Sequence, residues 1–258
     1  MGIYLYCITQ GDKERAFENA AAVGSSASPV RTIVEQGLAA VVSDCEQTRF
    51  DTSRVNLMAH ERVVEQVMRE ASCLLPVRFG TVASPPEPEQ DIRRLLRVRR
   101  VEFDRLLHEM QGKVEVGVKA LWQDTNAVFQ EIASEWHEVR RLRDRIEGQP
   151  ERTPQIERVR LGEMVKEALD RKRERQAVRI LEPLRPLAAE VVENPVVLDR
   201  MILNAAFLVS AEQDSDFDRA VRELDAQLAP RVVLRHVGPV PPYNFVNITV
   251  SWDEVRRS

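Results

Sequence analysis

The chain's 258 residues suit one large domain or, better, two of ordinary size, with 43% apolar residues to supply a core for each. A net charge of -4, with arginines scattered along the chain, argues against nucleic acid as a partner, because phosphate binding is driven by clustered positive charge. No apolar run reaches the roughly 18 residues of a membrane span, and residues 1–8 lack the basic flank and apolar stretch of a signal peptide, so a cytoplasmic protein with no membrane span is expected. Cys7, Cys45 and Cys73 have no CxxC spacing and read as reduced thiols packed as small apolar groups.

In chain order, GIYLYCIT (2–9) mixes β-branched, aromatic and apolar residues in the manner of a strand buried on both faces. Residues 12–22 are expected to form a short helix, ended by Gly24 and the small polar run 25–28. The apolar runs 30–34 and 38–43 flank Glu35-Gln36-Gly37, a hairpin signal. Asp51-Thr52-Ser53 offers N-caps for a helix carrying Leu57, Val64, Val67, Met68 and Ala71 at helical spacing. LLPVRFGTV (74–82) then reads as a closing strand with Leu75, Val77 and Phe79 inward, and Pro76 marks an irregular or exposed edge. The resulting order, β-α-β-β-α-β, is that of a ferredoxin-like unit.

Ser84-Pro85-Pro86-Glu87 has the form of a capping box, opening a helix with one apolar stripe from Ile92 to Met110 that Gly112 ends. Residues 113–122 alternate, placing Val114, Val116, Val118, Ala120 and Trp122 against Glu115, Gly117 and Lys119 on a half-exposed strand. Asp124 caps the first arm of a helical hairpin, which Gly148-Gln149-Pro150 stops and Thr153-Pro154 restarts. The second arm contains Asp170-Arg171-Lys172-Arg173-Glu174-Arg175-Gln176, without an apolar residue. Such a segment either projects toward a partner or lies as a solvated face held by i,i+4 ion pairs. Pro183 and Pro186 kink or restart the helix before 187–192, MILNAAFLVS (201–210) suits a central strand, and Phe217, Val221, Leu224 and Leu228 mark a helix. Residues 232–237 and 245–250 are the last expected strands, joined by GPVPPY. The fold class expected is α+β: a ferredoxin-like domain over 1–83, a connecting helix over 84–112, and a second α+β domain over 113–258 with a long helical hairpin at 124–193.

No constellation of catalytic or ligating groups stands out. His60, His108, His137 and His236 have no metal spacing, and His60-Glu61 is not followed by the second histidine of an HExxH site. A GxGxxG turn, a P-loop and a GxSxG elbow are all missing. No metal, cofactor or catalytic residue is therefore assigned. Arg78, the single charge in LLPVRFGTV, can anchor an acidic group or lie along the outer face, and Tyr243 with Pro239, Pro241 and Pro242 either forms an exposed rigid rim or turns the chain between strands. Candidate partner contacts are thus Arg78 and Tyr243, with Arg171, Lys172, Arg173 and Arg175 from the charged helical segment. A small-molecule enzyme or sensor on a ferredoxin-like scaffold is the alternative, and it needs polar groups such as Arg78, His60 and Glu65 to converge on a pocket.

IYLYCI (3–8), LAAVVSD (38–44), LLPVRFGTV (74–82), LNAAFLV (203–209) and GPVPPYNFVNI (238–248) together resemble the gas vesicle protein L/F family, in the same order and over nearly the whole chain. The resemblance implies a non-enzymatic gas vesicle assembly or minor structural protein, located in the cytoplasm and at the vesicle. Its implied partners are the small hydrophobic shell protein and other accessory proteins. It also implies an N-terminal ferredoxin-like domain followed by an α+β domain with extra helices.

Overall fold

The uncharged run at the start of the chain becomes β1 (Gly2–Gln10), and eight of its nine residues are buried. The computed structural model describes residues 1–18, 20–24, 28–148 and 155–257. The chain divides into unit 1, Met1–Glu115 with the stretch from Pro239 onward, and unit 2, Val116–Gly238.

In unit 1, β1 lies inside a sheet of order β2-β3-β4-β1-β5, formed with β2 (Ala16–Phe17), β3 (Val30–Glu35), β4 (Leu38–Cys45) and β5 (Leu74–Pro76), while β6 (Val82–Ala83) also pairs with β1. The hairpin expected around residue 36 forms: β3 and β4 are antiparallel with Glu35 opposite Leu38. Gln36 and Gly37 turn the chain with φ of 51° and 85°, the positive pair that matches the twist of the flanking strands. The helix α1 (Arg54–Glu70) starts at Ser53, whose Oγ accepts from the Asn56 N–H, and it buries His60, Val63, Val64 and Val67. Val63, Val64 and Val67 join Tyr4 and Tyr6 in one core cluster. The helices α2 (Pro88–Val98) and α3 (Arg100–Met110) pack on β1 and its neighbours through fully buried residues such as Ile92, Leu95, Leu96 and Phe103. Each such side chain contributes about 2 kcal/mol by leaving water.

Unit 2 is built on a sheet of order β10-β7-β9-β8, from β7 (Lys113–Trp122), β8 (Glu190–Glu193), β9 (Met201–Ser210) and β10 (Val232–Val240). The helices α4 (Thr125–Glu135), α5 (His137–Gly148), α6 (Gln155–Leu184) and α7 (Asp214–Leu228) accompany it. Phe207 of β9 and Phe217 of α7 are fully buried with ring centroids 5.0 Å apart, and Trp122, Ile132, Ile180 and Leu184 share their core. Asp124 caps α4 as expected, its carboxylate accepting from the N–H groups of Asn126 and Ala127. The chain ends on α8 (Trp252–Arg257), which packs on α2 in unit 1.

Several expectations fail, each where tertiary contacts override a local pattern. Among the described residues of 12–22 there is no helix: Phe17 pairs with Val30, the Thr32 N–H donates to the Arg15 carbonyl, and the Arg15 N–H donates to Thr32 Oγ1. The apolar residues Phe17, Ala22 and Val23 are buried there without helical spacing, so an edge strand and a loop serve them better. LLPVRFGTV is two short strands, β5 and β6, around a loop at 77–81 with Gly80 at φ 81°: Leu74 to Val77 are all buried, so the expected alternation is absent, and Phe79 reaches the core from the loop rather than from a strand. The expected capping box does not form, because Glu87 itself is the N-cap and Pro88 fills the first turn, where a missing N–H costs nothing. Glu115 is buried rather than exposed. Residues 190–193 form β8 rather than helix, since Val191 and Val192 pair with Phe207 and Ala206. The expected strand at 245–250 reduces to one parallel bridge, Ile248 to Val77.

Nor do the two units follow the expected division into 1–83, 84–112 and 113–258. The helices of 84–112 lie on the first sheet, and the chain returns to unit 1 from Pro239. Asn19, the polar run 25–27, the stop at Gln149-Pro150 and the start at Thr153-Pro154 lie outside the described residues.

A Cβ at Gly37 would meet nothing within 4 Å, so the cost of Gly37→Ala is purely conformational. The substitution is expected to lower unfolding free energy by about 1–2 kcal/mol, measured by urea denaturation.

Candidate functional site

The two motifs singled out in the sequence, 74–82 and 238–248, meet in unit 1. Val77 bridges Ile248, and its N–H donates to the Tyr6 carbonyl at 3.0 Å, so the C-terminal segment lies beside the outer strand of the sheet. From there the loop at 77–81 arches away and returns when the Leu5 N–H donates to the Thr81 carbonyl at 2.9 Å. Gly80, free of a Cβ in the left-handed region, turns its N–H onto Tyr4 Oη at 2.9 Å. Thr81 Oγ1 donates to the Arg78 carbonyl, closing the loop from inside. This leaves Arg78 exposed, while Phe79 folds back with its ring 5.8 Å from His60 and 6.2 Å from Tyr4.

Beneath the loop lies an aromatic cluster. Tyr4 Oη accepts from the Gly80 N–H and shares a second hydrogen bond, 3.0 Å long, with His60 Nδ1, whose direction follows the imidazole tautomer. Nε2 is buried without a hydrogen-bond partner, and the His60 ring stacks on Tyr6 at 5.6 Å. Burial pushes the imidazole pKa down to about 4, against a smaller opposite effect from the Val77 backbone, so His60 is neutral at physiological pH. Tyr6 Oη accepts from the Val23 N–H and pairs with Ser43 Oγ, and burial raises both tyrosine phenols.

Tyr243 is 38% exposed, yet burial raises its phenol too, and Cys7, Glu61, Glu65 and Tyr4 add to that shift. Next to it, Asn244 holds Glu115: its backbone N–H donates to Oε2 at 2.8 Å and its Nδ2 to Oε1 at 2.5 Å. Burial raises the Glu115 carboxyl and these two bonds work against that rise. The sequence pattern missed this pair because Glu115 sits at an alternation-outward position and Asn244 in a proline-rich turn. Only the approach of the two segments reveals their partnership.

The charged residues of α6 belong to unit 2, where Lys172 and Arg173 are held by neighbouring groups while Arg171 and Arg175 are exposed. Lys172 Nζ sits 3.0 Å from Glu131 and 2.7 Å from Glu135 of α4. Arg173 pairs with Asp170 and donates Nε to the Met201 carbonyl at 2.8 Å. Arg171 makes an exposed i,i+4 pair with Glu167, and the Arg175 guanidinium lies 5.7 Å from the Trp136 ring centroid. Of the groups that an enzyme or sensor would need, Arg78 faces solvent whereas His60 is buried under the loop. Among the described residues no group of three or more His, Cys, Asp or Glu is placed to hold a metal ion, and no helix is long and apolar enough to cross a membrane.

The architecture is that of a two-unit α+β protein, and it is shared with a solved one. The crystal structure of the gas vesicle protein GvpF from Anabaena sp. PCC7120 matches with a TM-score of 0.79 at 29% identity, covering 96% of this chain and 99% of that one. Gas vesicle protein F of Streptomyces sp. (strain CB03234) is 30% identical over 247 residues, 95% of this chain and 100% of the relative. Gas vesicle protein F of Nostoc sp. (strain PCC 7120 / SAG 25.82 / UTEX 2576) is 29% identical over 249 residues, 96% and 99% of the two chains. The family model for the gas vesicle synthesis protein GvpL/GvpF matches residues 2–247, and the chain belongs to that family.

Asn244→Ala removes a partner from a buried carboxyl and is expected to cost about 2–3 kcal/mol, read from the denaturation midpoint. Since the folded His60 pKa lies below its ordinary 6.5, the unfolded chain binds the extra proton. The stability from neutral His60 is therefore full above pH 6.5 and is lost as pH falls toward about 4. The difference in unfolding free energy between wild type and His60→Gln should shrink by about 3 kcal/mol across that window. A difference that stays constant with pH would refute the assignment.

Proposed function

We propose that the chain is a non-enzymatic assembly factor or minor structural component of gas vesicles that binds the small hydrophobic shell protein and other accessory proteins, in the cytoplasm and at the growing vesicle. The match to the family over residues 2–247, which takes in both converging motifs, carries this reading. The physical motive is that a subunit with a strongly apolar face needs cover until it polymerises.

In this reading unit 1 is a ferredoxin-like domain whose first crossover is a loop and the edge strand β2, and unit 2 carries a helical insertion built from α4, α5 and α6. The exposed Arg78 at the loop tip and the half-open ring of Tyr243 form one contact region, because Val77 and Ile248 join the segments that carry them. Arg171 and Arg175 form a second, while Lys172 and Arg173 keep α6 in place through Glu131, Glu135 and the Met201 carbonyl. Among the described residues no carboxylate pairs with Arg78 or Arg175, and Arg171 holds only the exposed Glu167, which leaves these groups accessible to a partner.

Co-expression with the shell protein followed by affinity capture tests the proposal. Wild type should retain the shell protein, and Arg78→Ala with Tyr243→Ala should lower retention about tenfold, the effect of losing roughly 1.4 kcal/mol at a contact. Failure of the wild type to retain it would sink the binding role. Equal retention by the double variant would move the contact elsewhere.

A further inference from the structure

We infer that a basic groove on unit 2 binds an acidic peptide segment. The groove encloses about 480 Å³ between α6, the end of α7 and the start of β10. Its cations are Lys172, Arg175 and Arg179 of α6 with Arg231 beside β10. The three on α6 follow the i, i+3, i+7 spacing of one helix face, so they present a row of charge rather than a scatter.

These cations are not equivalent. Glu131 and Glu135 take up Lys172, and Glu131 also takes up Arg231. Among the described residues no carboxylate lies within ion-pairing distance of Arg175 or Arg179, although both line the same groove. Arg175 is also oriented: its guanidinium lies over Trp136 and its Nε donates to the Arg171 carbonyl at 3.4 Å. A concave positive site on a chain of net charge -4 is complementary to carboxylates, and planar guanidinium groups bind them through paired N–H donors. Trp122, Leu228 and Val232 also line the groove and give an apolar neighbour of the acidic residue a surface to rest on. That mixture favours a peptide over a nucleic-acid backbone, which needs a longer positive track.

The inference stands on the groove and not on the vesicle role, so its test uses the purified chain alone. Fluorescence anisotropy with a short labelled Glu/Leu-rich peptide is compared with a Lys/Leu-rich peptide of equal length. The acidic peptide should bind selectively and be released by salt. Arg175→Glu with Arg179→Glu should weaken it about tenfold or more, while a control pair with the same change in net charge, the exposed Arg140→Glu with Arg160→Glu, leaves it within about twofold.

Equal binding of the two peptides, equal loss in the control pair, or an undiminished affinity in the groove variant would each overturn the inference. So would tighter binding of a labelled single-stranded oligonucleotide that the groove variant abolishes, which would reassign the site to phosphate. Circular dichroism checks folding. Should the reversed pair not fold, Arg175→Gln with Arg179→Gln carries the same expectation, a loss of acidic-peptide affinity that the control pair does not show.

Discussion

Unit 1 depends on one constraint, the need to satisfy two phenol hydroxyls that β1 carries into its core. Tyr4 and Tyr6 are fully buried, and an unsatisfied hydroxyl there would cost on the order of 1–3 kcal/mol. Tyr4 meets the need with the Gly80 N–H and His60, and Tyr6 with the Val23 N–H and Ser43. Four separate stretches of chain are therefore tied to one strand: the loop after β5, the helix α1, the segment before β3, and β4. The loop that exposes Arg78 takes its shape from this arrangement, since Gly80 must turn its N–H inward and the intervening side chains point out or fold back.

A second set of ties holds the returning C-terminal segment. Asn244 binds Glu115, Ile248 bridges Val77, Arg99 donates to the Thr249 carbonyl, and Arg256 reaches the nearly buried Asp91 at 2.7 Å. Most of these are charge-assisted bonds to a carboxylate or a backbone carbonyl, stronger than neutral ones and directional. They fix the path of a segment rich in proline, which contributes few backbone donors of its own.

Much of the fold was legible where one periodicity dominated. The hairpin at Gln36-Gly37, the cap at Ser53, the strands β1, β7 and β9, and the stripe of α7 all follow from local pattern. What could not be read depended on partners distant in sequence: Phe17 joins β3 because Val30 is there, Val191 and Val192 become strand because β9 offers an open edge, and Ile248 finds only one bridge. The site was half legible. Arg78 and Tyr243 stood out as an odd charge and an aromatic in two short motifs, but nothing in either motif announced that Val77 and Ile248 would bridge. His60 stood out in the sequence only as a histidine without metal spacing, and its burial under Phe79 is a purely tertiary fact.

The return of the chain to unit 1 also sets an order of events during synthesis. Residues 116–238 are made, and can bury their own core, before the segment carrying Asn244, Ile248 and Arg256 exists. Until that segment emerges from the ribosome, Glu115 has no Asn244 and the bridge at Val77 is open. Unit 1 therefore closes last although its sheet begins first, and a chain cut short before residue 244 carries an unfinished first unit beside a finished second one.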